Sequence, residues 1–599
     1  MSEQASVTPD TPPAEQSSEQ PAEQESSESA DDESFRPIDT GARSVIRALE
    51  KADIEYVFGV QGGAIMPVYD ELSFSDQLTH VTMAHEQGAA HAADAYGIVS
   101  GAPGVCMVTS GPGVTNLITG IADADMDSDP LLALAGQVPT SFVGNDAFQE
   151  TDTTGITDPI TKHNIFSSHP DEVGNDVGAA AALAAEGRPG PTLVDLPKDV
   201  TMGETDVEPD EPSTPDTYEY REEPDPVAVK AAAEAIERAD KPLLLAGGGV
   251  IKSGASEELR AFATEHGIPV VTTMPGLGSF PEDHELSLEM GGMHGPGYAN
   301  MAISHCDLLI GIGTRFEDRL TGDIETFAPN AAVVHVDIDP SEISKNIEAD
   351  YPVVGDAAAA VEAINDAVDE SPTIDDWRET VFEWKDNYPM GYPTPDDRPV
   401  QPEFIVEAVD EATADDTIVT TGVGQHQMWA CQYWTYKEPR TWVSSHGLGT
   451  MGYGLPAAIG ARVAADDEQD VVCFDGDGSF LMTIQELSVA VREEMDITFV
   501  VLNNEYIGMV RQWQDAFYEG RRTASDYQWV PEFDKLAEAF GARGFSIEHY
   551  DEAPDTIQAA LEYDGPSVID ARIDPEANVY PMVPAGGNNV EFALEKNQL

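Results

Sequence analysis

The stretch VVCFDGDGSFLMTIQELSVAVREEMDITFVVLNN (471–504) constrains the fold more than any other. Val471–Phe474 and Ile497–Leu502 are short apolar runs of the kind that form parallel strands buried on both faces. The first ends in Asp-Gly-Asp-Gly and the second in Asn-Asn, and between them Ile484, Leu487, Val489 and Val491 fall in a helical pattern expected to begin near Met482. A strand-helix-strand crossover returns both strand ends to one edge of a parallel sheet, where open α/β sheets bind their ligands. Asp477 and Asn504 are therefore predicted to face one pocket. A carboxylate, an amide oxygen and nearby carbonyls are hard ligands suited to Mg²⁺, and Gly476 and Gly478 would let a diphosphate approach the backbone beside helix-start amides. An EF-hand beginning at Asp475 is excluded, because its sixth position is Phe480 where the turn requires Gly. A phosphatase that opens with strand-Asp-x-Asp is the competing reading, but such domains carry the motif near their start and here it follows more than 470 residues.

Charge narrows the classes further. The 599 residues include 110 Asp and Glu against 30 Lys and Arg, a formal charge of -80, which excludes nucleic acid and anionic membrane as natural partners. Acid dispersed along the whole chain implies a surface solvated in concentrated salt, and a cytoplasmic location in a high-salt cell. Residues 1–35, rich in Glu, Ser, Gln and Pro, are expected to be disordered and carry neither the basic start nor the apolar centre of a secretion signal. No segment is long and apolar enough to span a bilayer. Cys106, Cys306, Cys431 and Cys473 stand singly in apolar stretches, as buried free thiols do.

Two acidic, Pro-rich stretches, 204–226 and 388–402, divide the ordered part. The expected architecture is α/β throughout: three doubly wound parallel-sheet domains at 36–203, 204–400 and 401–599. The outer two echo each other. VCMVTSGPGVTNLITGIADADMDSDPLLALAG (105–136) reads strand, Gly-x-Gly, helix, strand, with Gly111-Pro112-Gly113 where the later copy has Gly476-Asp477-Gly478. Upstream of each lies a Gly/Ala-rich helical stretch, 85–101 and 447–464. Glu86, at the start of the first, reads either as a partly buried functional carboxylate or as a charge compensating the helix dipole. In the middle domain LLLAGGGVIKSG (243–254) is a strand followed by a glycine loop that suits a nucleotide phosphate, though its spacing departs from the dinucleotide fingerprint. Arg315 and Arg319 are candidates for a diphosphate and Asp337 for a ribose hydroxyl; a surface ion-pair cluster with Glu317 and Asp318 is the alternative.

HEQGA (85–89), GDG (476–478) and the later NN (503–504) at these separations resemble the thiamine-diphosphate enzymes. GPGVTN (111–116), GQVPT (136–140), DAFQE (146–150), RPGPTLVDLPKDV (188–200), GMHG (292–295), RFEDR (315–319), GQHQMW (424–429), GLGTMGYGLPAAIGA (447–461) and GMVRQWQ (508–514) narrow the resemblance to acetohydroxyacid (acetolactate) synthase catalytic subunits, from about residue 36 to about 590. The resemblance implies decarboxylation of pyruvate on thiamine diphosphate and condensation with a second pyruvate or 2-oxobutyrate, giving 2-acetolactate or 2-aceto-2-hydroxybutyrate for branched-chain amino-acid synthesis. It implies a homodimer or larger homo-oligomer, with cofactor between one subunit's N-terminal and another's C-terminal domain, and a possible small regulatory subunit.

Site roles follow from the same resemblance. Glu86 would bond N1′ of the aminopyrimidine, Met451 would prop the cofactor and the Gly449 carbonyl would accept from its amino group. Asp477, Asn504 and the Tyr506 carbonyl would bind Mg²⁺, with Val423, Gly424, Gln425, His426, Gly476, Gly478 and Ser479 around the diphosphate. Phe148, Gln149, Lys198, Met509, Val510 and Trp513 would handle substrate, Trp513 setting acceptor preference. Arg188, Gly247, Gly248, Thr273, Met293, His294, Gly313, Arg315, Arg319, Asp337 and Ile338 would hold FAD in a structural role. Pyruvate oxidase, another FAD-using relative, is the runner-up, and a non-catalytic cofactor-binding homologue would be expected to lack Glu86 or the metal ligands. Two departures stand out: Val60-Gln61 where the family usually has Tyr-Pro, and Glu317 in place of the commoner Asp.

Overall fold

The computed structural model describes residues 39–393 and 399–595, so the expectation for residues 1–35 lies outside it. The described residues form three sheets of six strands, all parallel. The first contains β1 (Tyr56–Val60), β2 (Thr79–Thr82), β3 (Gly104–Val108), β4 (Leu131–Gln137), β5 (His163–Phe166) and β6 (Thr192–Pro197) in the order β2-β1-β3-β4-β6-β5. The second contains β7 (Pro242–Ala246), β8 (Val270–Thr272), β9 (Ser287–Met290), β10 (Leu308–Ile312), β11 (Ala332–Asp337) and β12 (Tyr351–Val354) in the order β12-β11-β10-β7-β8-β9. The third contains β13 (Ile418–Thr421), β14 (Trp442–Ser444), β15 (Val471–Gly476), β16 (Thr498–Asn503), β17 (Arg543–Ile547) and β18 (Ser567–Arg572) in the order β14-β13-β15-β16-β18-β17.

The first and third sheets share one permutation, which gives the echo between the outer domains a structural basis. Their strand order reverses between β1 and β3 and between β13 and β15, and such reversals open the crevice where doubly wound folds bind ligands. In the second sheet the reversal lies between β7 and β10, the strand order of dinucleotide-binding domains, and the 247–249 glycines follow β7 directly.

One expectation is corrected. The crossover helix between β15 and β16 begins at Asp477, immediately after the strand, and ends at Met482; a turn at Ile484–Glu486 and a second helix, Leu487–Arg492, complete the connection. An acidic first residue favours a helix start there through the dipole. Thr483 breaks the helix with its hydroxyl donating to the Gly452 carbonyl (2.8 Å), and the turn carries Glu486 to the first domain, where it accepts from the Ala84 amide (3.0 Å).

The outer domains share a core. Helix Glu86–Ser100 lays Ala89, Ala92 and Ala93 against Ala457, Ala458 and Ala461 of helix Gly454–Ala464. The residues after β18 return to the middle domain, where Val583 N–H donates to the Met293 carbonyl (2.8 Å) and Asn589 Nδ2 to the Leu320 carbonyl (2.9 Å). The four cysteines are free and buried, and among the described residues no helix is long and apolar enough to cross a membrane.

Candidate active site

Where the third sheet reverses, β15 and β16 deliver Asp477 and Asn504 to one edge. Asp477 is 2% exposed; its Oδ1 accepts from Gly478 N–H (2.7 Å), while Oδ2 is buried and finds no hydrogen-bond partner among the described residues. Burial pushes this carboxyl up to about 7 against the opposing pull of backbone N–H groups at Gly478, Glu505 and Asn504. Asn504, also buried, accepts from Tyr506 N–H (3.0 Å) and donates to Gln425 Oε1 (3.3 Å). An orphaned carboxylate oxygen beside an amide oxygen and a carbonyl-bearing bend suits a small divalent cation, which would restore the charged form of Asp477.

Other residues expected around the diphosphate take distinct stations. The Gln425 amide is committed to the interior, donating to Gln512 Oε1 (2.8 Å) and the Ala577 carbonyl (3.2 Å), so in this structure it braces Asn504. His426 is kept neutral by burial, its value down to about 3, with Nε2 3.3 Å from Asp475 Oδ1. Ser479 Oγ accepts from Gly452 N–H (2.9 Å), tying the 445–452 loop to this edge. Gly476 lies where a Cβ would sit 2.7 Å from His426 Nδ1, and one on Gly478 would collide with the Tyr527 hydroxyl. Gly449 has φ +73° with open space where a side chain would be, and Met451 is half-buried.

A cavity of about 750 Å³ lies where the three domains meet. Arg188, Gly248, Thr273, Met293, His294, Gly313, Arg315, Arg319, Asp337 and Ile338 line it together with Val423, Gly424, Gly449, Met509 and Trp513. Gly247 is not among its lining residues; it packs so closely on Gly313 that a Cβ would strike the Gly313 carbonyl. Arg188 is anchored by Asp339 (3.0 Å) and Glu342 (2.7 Å), and burial raises Asp337 to about 6. Thr273 Oγ1 is buried without a hydrogen-bond partner among the described residues. Arg319 pairs with Asp318 (2.9 Å), Arg315 lies 3.6 Å from Asp127 of the first domain, and both arginines line the cavity.

The first-domain candidates form a separate group. Glu86 opens helix Glu86–Ser100, half-buried, with Asn116 Nδ2 donating to its Oε2 (2.9 Å). Gln149, at φ +60°, has its backbone against Gly111; Phe148 beside it is 88% exposed; Lys198 Nζ donates to the Gly63 carbonyl (2.8 Å). None of the four lines the central cavity. The opposite end of the Glu86 helix, at Gly97 and Ile98, borders a small cleft shared with Lys252 and His446, and 15 helical residues span about 22 Å. Asp477, Asn504, Gln425, His426 and Met451 do not line the central cavity either, so one chain's candidates fall in the cavity lining, at the β15–β16 edge and in the first domain. Asn116, Gln512 and Glu486, which orient Glu86, Gln425 and the Ala84 backbone, were not singled out by sequence; Asn116 and Gln512 lie inside quoted motifs, but nothing in their spacing names their partners.

Three family models match in order: thiamine pyrophosphate enzyme N-terminal TPP binding domain over residues 39–156, central domain over 229–364, and C-terminal TPP binding domain over 422–571. The chain is 46% identical over 571 residues to the acetolactate synthase large subunit of Corynebacterium glutamicum, covering 93% of this chain and 90% of that one. It is 46% identical over 560 residues to the probable acetolactate synthase large subunit of Methanocaldococcus jannaschii, covering 91% and 94%. A Mycobacterium leprae acetolactate synthase is 46% identical over 564 residues, covering 92% and 90%. With three thiamine pyrophosphate domains in sequence and near-complete coverage at this identity, the chain belongs to the acetolactate synthase large-subunit family of thiamine pyrophosphate enzymes.

Proposed function

We propose that the protein is a thiamine-diphosphate-dependent acetolactate synthase that decarboxylates pyruvate and joins the two-carbon fragment to a second pyruvate or to 2-oxobutyrate. The observation that carries this reading, within the family, is the orphaned Asp477 oxygen beside Asn504 at the reversal of the third sheet. The relatives' names favour the condensing enzyme over pyruvate oxidase. Bound thiamine diphosphate supplies the electron sink for carbon–carbon cleavage and formation.

The chain's own residues do the rest. Asp477, Asn504 and the Tyr506 carbonyl would hold Mg²⁺, and through it the diphosphate, with Gln425 and Gln512 keeping the Asn504 amide turned to the metal. Glu86, oriented by Asn116, would hold a proton at the pyrimidine N1′. Met451 and the Gly449 carbonyl would shape the cofactor from the C-terminal side. Arg188, Arg315 and Arg319 around the central cavity fit the phosphates of FAD, and the buried Thr273 hydroxyl offers a hydrogen bond that no described residue satisfies. Glu86, Phe148, Gln149 and Lys198 are absent from the lining of the cavity that Gly449, Met509 and Trp513 share, and with the family's arrangement this supports assigning each complete site to two chains of a homodimer. The relatives' designation as large subunits supports a small regulatory partner. The charge of -80 supports work in a salt-rich cytoplasm.

Purified in molar KCl with thiamine diphosphate, Mg²⁺ and FAD, the protein is expected to convert pyruvate to acetolactate. Glu86→Gln should lower kcat by about a hundredfold or more, as loss of a positioned proton-transfer group does. A parent protein that binds all three cofactors yet turns over no pyruvate would overturn the assignment in favour of a non-catalytic homologue.

A further inference from the structure

The loop Ser445–Gly452 carries Gly449 and Met451; its own domain holds its start through Gln427 Nε2 on the Ser445 carbonyl (3.0 Å) and Trp442 Nε1 on His446 Nε2 (2.8 Å), and the N-terminal domain adds a second set of tethers. Helix Pro112–Asp127 of the N-terminal domain ends on two carboxylates four residues apart, which stacks them on one face. Asp123 is 1% exposed, and its Oδ1 accepts from the Ser445 hydroxyl (2.6 Å). The Ser445 oxygen in turn accepts from Thr450 N–H (2.8 Å), closing the loop across its base. One turn on, Asp127, whose side chain is 6% exposed, accepts from His446 N–H at Oδ2 (2.7 Å) and from Gly447 N–H at Oδ1 (2.8 Å). The far end is fixed within the C-terminal domain by Ser479 and Thr483 on the Gly452 backbone. Between these anchors Leu448 is 41% exposed and Gly449 adopts φ +73°, so the place of the arch depends on how its two ends and the Ser445–Thr450 bond are held.

We propose that Asp123 and Asp127 are positioning residues for the cofactor loop: a helix of the N-terminal domain sets the place of Gly449 and Met451 in the C-terminal domain of the same chain. The inference rests on the reading of those two residues as cofactor contacts. Charge-assisted bonds from a carboxylate to backbone N–H groups are the strong kind. Asp127 is suited to accept two of them: burial works against its charge, but contacts with His446 and Arg315 hold it below the ordinary carboxylate value. Asp123 needs only to accept one hydroxyl, and burial raises it to about 7, so an amide of the same shape at that position can serve.

Calorimetric titration of the Mg²⁺-loaded protein with thiamine diphosphate tests this directly. Asp123→Ala and Ser445→Ala should each weaken binding about tenfold, while FAD retention and helix content stay at parent levels. Asp123→Asn, which keeps the acceptor for Ser445, should restore affinity to within about twofold of the parent. Should Asp123→Ala fail to fold, Ser445→Ala alone carries the measurement, since it deletes only the hydroxyl that bridges Asp123 to Thr450. Parent-like affinity in both alanine variants, or an asparagine variant as impaired as alanine, overturns the inference. If the parent itself does not bind thiamine diphosphate, the functional reading fails first and the inference with it.

Discussion

Trp513 is half-buried with the Arg319 guanidinium 6.0 Å above its ring and its indole N–H unpaired among the described residues. The side chain is thus a wall of the cavity and not mere filling of a core. An acceptor with one more methylene gains about 1 to 3 kcal/mol from such a wall. Trp513→Leu is therefore predicted to lower preference for 2-oxobutyrate over pyruvate about tenfold or more, read by competition between the two acceptors. Asp195 makes a separate prediction. Burial pushes it to about 7 despite bonds from Gln137 and Thr153. A carboxyl raised on folding contributes fully below its unfolded value near 4, and that contribution is lost as pH rises through about 7, on the order of 4 kcal/mol over the window. Asp195→Asn, which stays neutral, should gain stability relative to the parent between pH 5 and pH 8; a pH-independent difference in denaturation midpoint would refute the buried-charge account. Asp477 and Asn504 stand out in the sequence because each closes an apolar run expected to be a buried strand, whereas Glu86 reads equally as a charge compensating the helix dipole and is singled out only through the HEQGA resemblance. Asn116, Asp123 and Glu486 were silent because each acts on a partner remote in sequence: Asn116 lies 30 residues from Glu86, Asp123 322 from Ser445 and Glu486 402 from Ala84.

At the level of elements, the two Gly/Ala-rich stretches read from sequence as helices become helices Glu86–Ser100 and Gly454–Ala464, packed face to face. Small residues allow the backbones to meet: a Cβ on Gly460 would collide with the Ala92 carbonyl oxygen, which cannot rotate away. Gly460→Ala should force the helices apart and cost about 1 to 3 kcal/mol, measured as a shifted denaturant midpoint with unchanged slope. An unshifted midpoint would mean that the contact yields. Composition revealed these helices but not that they pair, since pairing is a property of two distant segments. The helix after β15 was misplaced for a local reason. Asp-Gly-Asp-Gly carries strong turn preference and the apolar periodicity begins only later, whereas Asp477 as an acidic first residue favours a helix start directly after the strand. Strand order was likewise beyond sequence: βαβ alternation fixes handedness and parallelism, whereas the shared permutation of the outer sheets depends on which strands meet.

Whole-molecule behaviour follows from charge and, on the proposed assignment, from a site divided between two chains. A chain of charge -80 pairing with a copy of itself works against long-range repulsion, which molar salt confines to about 3 Å. Assembly is therefore expected to need high ionic strength, and the decisive experiment belongs there. Glu86→Gln disables the N-terminal contribution to a site and Asp477→Ala the C-terminal one, so each homodimer should be nearly inactive alone. In a mixed dimer, the intact Glu86 of one chain meets the intact Asp477 of the other at one interface, while the second interface carries both lesions. Random co-assembly makes about half the dimers mixed, each with one working site of two, so about a quarter of parental activity should return. Were the site built within one chain, every site would carry one lesion and no activity would return at any mixing ratio.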